Sequence, residues 1–121
     1  ECVGDVRGKG RFIGVEIVQS KSTREPDAES CSILFNLCRH LGLLLGTGGV
    51  YGNVLRIKGP LCITLKHADD LLSIFERALQ LLPEELHRKH EQQNVLNSGI
   101  ENSVAASSST TNPPPSSSTV V

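Results

Sequence analysis

A chain of 121 residues with a net charge of −1 and a hydrophobic share of 38% has room for one folded domain and exerts no global pull on nucleic acid or an anionic membrane. Aromatics make up 3% and tryptophan is absent, which removes the stacking platforms that hold single-stranded nucleic acid. No run approaches the roughly 18 to 20 apolar residues of a membrane span, and the four cysteines (Cys2, Cys31, Cys38, Cys62) show no C-x-x-C or other metal-ligand spacing. The large apolar residues lie almost entirely before Leu96. A core drawn from about 95 residues buries roughly 60 to 70% of the surface its unfolded chain exposes.

The first residue is Glu1 rather than an initiator methionine, and an organised pattern begins at once, so the chain is expected to start inside a longer protein. Val3 to Gly10 predicts an extended segment with glycines where the backbone bends. Phe12, Ile13, Val15, Ile17 and Val18 supply the β-branched run of a paired strand. Ser20 to Glu25 is polar and turn-like, and Pro26 suits the first turn of a helix. Cys31, Leu34, Leu37, Cys38 and Leu41 then recur at three- and four-residue intervals, an amphipathic stripe that packs both cysteines inward, and Gly42 is placed for a left-handed cap.

Leu43 to Leu45, apolar and flanked by glycines, predicts a short buried strand, with Gly46, Thr47, Gly48 and Gly49 as the flexible turn after it. Asn53 to Lys58 alternates again: Leu55 and Ile57 take one face, Val54, Arg56 and Lys58 the other. Gly59 and Pro60 interrupt, Leu61 to Ile63 reads as a short extended piece, and Thr64 is an N-cap. The helix it opens carries the stripe Ala68, Leu71, Leu72, Phe75, Ala78, Leu79 and Leu82. Pro83 ends or restarts it, and Glu84 to Gln93 continues as a charged, solvated helix. From Asn97 the chain turns to Ser, Thr, Asn and Pro, which predicts a folded unit over 1–96 and a disordered tail over 97–121.

Most candidate chemistry reduces to structure. Gly8, Gly10 and Gly14 miss the dinucleotide fingerprint by one residue and no helix follows, so they read as a bend between strands. His87 and His90 lie three apart on a charged helix face, and His40 and His67 sit near helix ends where imidazole caps or stays exposed. Lys9 and Lys58 have nothing around them that marks a desolvated amine, and Thr47 to Gly49 reads first as a turn and second as a set of N–H groups for an anion. Arg56 stands apart. It interrupts an apolar strand just after a glycine-rich segment, and its fork of donors matches a carboxylate bidentately; from pattern alone, an outward-facing structural arginine and a carboxylate receptor both remain open.

Two segments, VGDVRGKGRFIGVEIVQSK from Val3 to Lys21 and CRHLGLLLGTGGVYGNVLRIKGPLCIT from Cys38 to Thr64, resemble the C-terminal domain of class III pyridoxal-phosphate-dependent aminotransferases, and within that class the mitochondrial alanine-glyoxylate branch. The resemblance covers Glu1 to Leu86 and fails in the tail. It implies the α/β class, as an α+β small domain of a fold-type I transferase: a short, mainly antiparallel sheet packed by two helices. It further implies that Arg56, in the R-I/F-x-P-x-L pattern, receives the substrate carboxylate. The chain departs from the family at Gly59, where a proline is usual, and at Arg11, where an apolar residue is common.

The same resemblance places the Schiff-base lysine, the aspartate that pairs with the pyridine nitrogen and the phosphate cradle in a large domain that this chain lacks, so pyridoxal 5'-phosphate is expected to be held there. It implies amino-acid and 2-oxo-acid substrates, a homodimer when full length and a mitochondrial location, with no nucleic-acid or membrane partner. Two rivals are a phospho-lyase of ethanolamine phosphate or phosphohydroxylysine, whose branch carries a longer polar tail and is expected to hold lysine at position 56, and a non-catalytic remnant or interaction module.

Overall fold

The computed structural model describes residues 2–107. Its elements are β1 (Val3–Lys9), β2 (Phe12–Ile17), α1 (Ala28–His40), β3 (Gly46–Gly48), β4 (Val54–Lys58) and α2 (Leu65–Ser107). The strands form one sheet in the order β1-β2-β4-β3, and every neighbouring pair is antiparallel. This is the α+β small domain that the resemblance implies.

The β1–β2 hairpin follows from its glycines. Lys9 pairs with Phe12, leaving Gly10 and Arg11 as a two-residue loop. Gly10 has φ 60° and Arg11 has no positive φ, the pattern of a type II′ turn, whose twist matches that of the strands it joins. At the other end of β1 the register shifts between Val3, which pairs with Ile17, and Asp5, which pairs with Glu16. This bulge at Gly4 turns Val3 to the core side and Asp5 to the opposite face, although the two would share a face in a regular strand.

One face of the sheet carries the core. Val15, Ile17, Leu55 and Ile57 pack with Cys31, Ile33, Leu34 and Cys38 of α1 and with Ala78 and Leu82 of α2. Desolvation raises the Cys31 and Cys38 thiols to about 11, with the Asp27 charge adding to the effect at Cys31. These two cysteines therefore act as small hydrophobes. Asn53, 1% exposed, joins three elements. Its carbonyl oxygen accepts from Ile17 N at 2.7 Å, and its Nδ2 donates to Ile17 O at 3.0 Å and to Glu16 Oε1 at 3.4 Å. Ile17 O also accepts from Asp27 N at 3.2 Å, so β2, β4 and the start of α1 meet at one amide.

Several local expectations shift. Pro26 lies before α1, in an isolated bridge with Val18, and the N-cap is Asp27, whose carboxylate accepts from Ser30 N at 2.9 Å and from Ser30 Oγ at 2.6 Å. Leu43 to Leu45 is not a strand: Leu44 is 80% exposed, and the third strand is the glycine segment read from sequence as a turn. Leu61 and Cys62 form a turn closed by Ile63 N to Pro60 O at 3.2 Å rather than an extended piece.

Thr64 does cap α2. Its Oγ1 accepts from His67 N at 3.3 Å while His67 Nδ1 accepts from Thr64 N at 3.4 Å, a capping box with imidazole in the place usual for a carboxylate. The helix passes through Pro83. A proline inside a helix costs about 3 kcal/mol, but Leu79 and Leu82 before it and Leu86 after it all pack on the core and hold both sides in line. The sequence-based boundary at residue 97 meets no break either: helix continues over 97–107, where no proline intervenes and extending an existing helix avoids the nucleation step. Residues 108–121 of the expected tail lie outside the described residues. The described residues divide into two compact units, one ending at His87 and the other beginning at Arg88.

Candidate functional site

The face of the sheet opposite the core is polar, and its layout follows from register. Directly paired residues in antiparallel strands share a face, so the pairs Arg7–Gly14, Gly14–Arg56 and Arg56–Gly46 define one row across all four strands. The row on one side is Asp5, Glu16, Val54 and Gly48, and that on the other is Lys9, Phe12 and Lys58. A shallow recess of about 280 Å³ opens on this face, with Arg7, Gly14, Val54, Arg56 and Lys58 among its lining residues.

Its two arginines are in opposite states. Arg7 Nη1 donates to Asp5 Oδ2 at 2.8 Å and to Glu16 Oε2 at 3.1 Å, and these bonds raise its pKa. Arg7 thus has its charge answered within the sheet. Arg56 is exposed, and among the described residues its guanidinium has no hydrogen-bond or ion-pair partner. Its row neighbours are glycines on both sides, so no side chain walls it off. The outward orientation read from the Asn53–Lys58 alternation is the one observed, with Leu55 buried beneath.

The other residues weighed from sequence do not gather here into a reactive set. Lys9 and Lys58 lie in one row, both exposed and separated by Phe12. His40, His67, His87 and His90 are exposed helical residues and none is among the residues that line the recess, and among the described residues no group of three His, Cys, Asp or Glu is placed to hold a metal. Thr47 and Gly48, read first from sequence as part of a turn, lie in β3 paired with Leu55 and Val54, and Gly49 follows the strand with φ 86°. What sequence reading missed is the role of Gly46 and Gly48. Glycines two apart in a strand clear one face, and that spacing was the available signal.

Comparison with known proteins assigns the family. The aminotransferase class-III family model matches residues 1–79. This chain belongs to the class-III aminotransferases. It is similar to mitochondrial alanine–glyoxylate aminotransferase 2 of Homo sapiens, with 42% identity over 80 residues that cover 65% of the chain and 16% of the relative. The alanine/serine racemase of Pyrococcus horikoshii is 46% identical over 80 residues, covering 66% and 16%. Among solved structures, an aminotransferase from Bacillus anthracis superposes with a TM-score of 0.62 at 33% identity, covering 65% of this chain and 19% of that one. A phospholyase from Arthrobacter in complex with phosphoethanolamine gives 0.62 at 38%, with the same coverage. The chain thus spans about a sixth of the length of these curated relatives.

Class-III aminotransferases depend on pyridoxal phosphate, and the residues described do not fit that group. A Schiff-base lysine works as a desolvated amine in a closed pocket. Lys9, Lys21, Lys58, Lys66 and Lys89 are all exposed, and the recess beside Arg56 is open and shallow. No step through the cofactor is derived from these residues.

Proposed function

We propose that this chain is the carboxylate-binding portion of a class-III aminotransferase that moves an amino group from alanine, or a similar amino acid, to glyoxylate or pyruvate. One observation carries the reading: Arg56, in the segment RIKGPL, presents an unpaired guanidinium on an open sheet face with glycine on either side. A planar fork of donors in that setting accepts a carboxylate bidentately and fixes the orientation of the amine attached to the same carbon. Pyridoxal 5'-phosphate and the lysine that carries it belong, on this reading, to parts of the enzyme outside this chain. The intact enzyme works as a homodimer in mitochondria, the compartment named for the human and plant relatives.

On the same reading the 121-residue chain alone is inactive. Purified chain mixed with pyridoxal phosphate is expected to show no protein-bound absorbance band and no turnover of alanine with glyoxylate; either signal would place a cofactor site within these residues.

The phospho-lyase reading draws on the 38% identity to the Arthrobacter phospholyase and on a Caenorhabditis elegans ethanolamine-phosphate phospho-lyase homolog that is 35% identical over 83 residues. Arg56 by itself does not separate the two readings, because its fork of donors matches a phosphate as well as a carboxylate. Full-length protein containing this chain separates the two. Glycine formed from glyoxylate and alanine is the expected product, and release of ammonia and phosphate from ethanolamine phosphate in its place would overturn the aminotransferase reading. Neither product from the full-length protein would leave the chain as a non-catalytic module.

A further inference from the structure

We propose that Gly48 is a positioning residue for Arg56: on the face where the arginine lies, Gly46 and Gly48 make strand β3 a side-chain-free rail, and Gly48 sets where its guanidinium rests. The functional weight of this inference rests on Arg56 being the carboxylate anchor; the contact itself does not. A Cβ added at Gly48 would stand 2.9 Å from Arg56 Nε and 3.2 Å from both Cδ and Cζ. Arg56 therefore does not reach straight out from β4. It leans along β3 from its direct partner Gly46 to the diagonal neighbour Gly48 and lies against the strand's backbone.

The glycine at 48 is not demanded by backbone conformation. Positive φ on this side of the sheet belongs to Gly49 and Gly52, at 86° and 69°, while Gly46 and Gly48 have ordinary extended backbone that any residue adopts. Nor is it demanded by packing of the core, which lies on the other face. What remains is the space that the arginine itself fills. Gly46 serves as an internal contrast, because a Cβ there would meet Arg56 Cβ, Nε and O at 3.7 Å, an ordinary contact distance.

A long side chain held against a backbone floor has fewer rotamers to lose when a ligand arrives, so a prearranged guanidinium binds its carboxylate in one orientation rather than several. A methyl at 48 would displace only the flexible end of Arg56, and the sheet can persist around the change. The substitution therefore separates position from fold.

The direct test is nuclear magnetic resonance on the 121-residue chain. Unsubstituted protein is expected to show contacts between the Arg56 Hδ and Hε protons and the Gly48 Hα protons. In Gly48→Ala the contact pattern should be lost and the Arg56 Nε–Hε resonance should shift, with backbone amides beyond β3 and β4 unchanged; in Gly46→Ala the resonance should stay in place. Absence of the contact in unsubstituted protein, a measurement that needs no variant to fold, overturns the proposal, and so does an unmoved Nε–Hε resonance in Gly48→Ala.

In full-length enzyme, Gly48→Ala is expected to lower kcat/KM roughly 10- to 100-fold for the carboxylate substrate, the usual effect of an ångström-scale misplacement, and to spare an amine substrate that lacks the carboxylate. Equal loss on both substrates overturns the positioning role. If the resonance moves while Arg56→Gln leaves carboxylate kinetics intact, the positioning contact stands and the anchor reading of Arg56 fails.

Discussion

Gly8→Ala should cost this domain roughly 2 to 6 kcal/mol, combining about 1–3 for a backbone region almost confined to glycine with about 1–3 for forced overpacking. Gly8 has φ 150°, and an added Cβ would overlap the Phe12 carbonyl oxygen and stand 2.8 Å from Ile13 Cα. Those atoms are backbone in the paired strand, so no side-chain rotation relieves the overlap. Relief requires moving β1 away from β2, and among the described residues β1 is an edge strand, paired only with β2. A unit of this size has a total stability on the order of 5–10 kcal/mol, so the loss is a large fraction of it. At about 4–8 °C per kcal/mol, the midpoint of thermal unfolding by circular dichroism should fall by roughly 8 °C or more. Gly10→Ala is the contrast: Gly10 also has positive φ, at 60°, but nothing lies within 4 Å of its added Cβ, so that change carries conformational strain without the overlap and should lose less. A midpoint for Gly8→Ala within about 3 °C of the unsubstituted chain would show that the hairpin yields at little cost, contrary to the roughly 1–3 kcal/mol of strain assigned.

Much of this fold is legible in side-chain periodicity, and the failures share a cause. The β2 run, the α1 stripe, the outward Arg56 and the Thr64 cap were all readable because each depends on what a side chain buries or bonds. Strand β3 was not, because a Gly-Thr-Gly strand carries no apolar signal and exists through its backbone pairing with Gly46–Arg56 and Gly48–Val54. Leu43 to Leu45 supplied the apolar signal instead and misled: Leu45 is buried at 9% as part of the core, while Leu44 beside it faces water. Local chemistry makes Pro83 an end or a restart of the helix, with helix resuming from Glu84, and tertiary anchoring of Leu79, Leu82 and Leu86 carries one helix through it instead. At the candidate site the sequence named the arginine and missed its floor, since a glycine's contribution is the room it leaves.

Arg11 and Gly59, the two positions where the resemblance leads one to expect other residues, are neighbours in the structure. Gly59 N donates to Arg11 O at 3.4 Å, a bond that a proline at 59 could not make, and an added Cβ at Gly59 would stand 2.9 Å from Ile63 Cδ1. Arg11 in turn lies over the Phe12 ring, 5.5 Å from its centroid. Both changes sit at the hairpin end of the sheet, and they extend the β2–β4 pairing by one contact beyond Phe12–Lys58. Arg56 is two residues inside that end, so the departures leave its row of Gly14 and Gly46 unaltered.

If Arg56 holds the substrate carboxylate as proposed, Arg56→Gln in the full-length protein is the substitution expected to do most to activity. A bidentate contact from guanidinium to carboxylate comprises two charge-assisted hydrogen bonds, each contributing about 1.5–3 kcal/mol. Losing both while glutamine recovers one neutral bond leaves a deficit near roughly 3–4 kcal/mol, a fall of about 10²–10³ in kcat/KM for alanine. Arg56→Lys keeps the charge but not the fork and should fall between, at roughly tenfold. Stability should not follow activity: Arg56 is exposed and has no ion pair among the described residues, so its removal falls in the class of surface changes within about 0.5 kcal/mol. The decisive comparison is between substrates. A primary amine without a carboxylate gains nothing from the fork, and its kcat/KM should be nearly the same in the unsubstituted enzyme and in Arg56→Gln. Parallel losses on the amine and on alanine would mean that Arg56 supports the site in some way other than by holding the carboxylate.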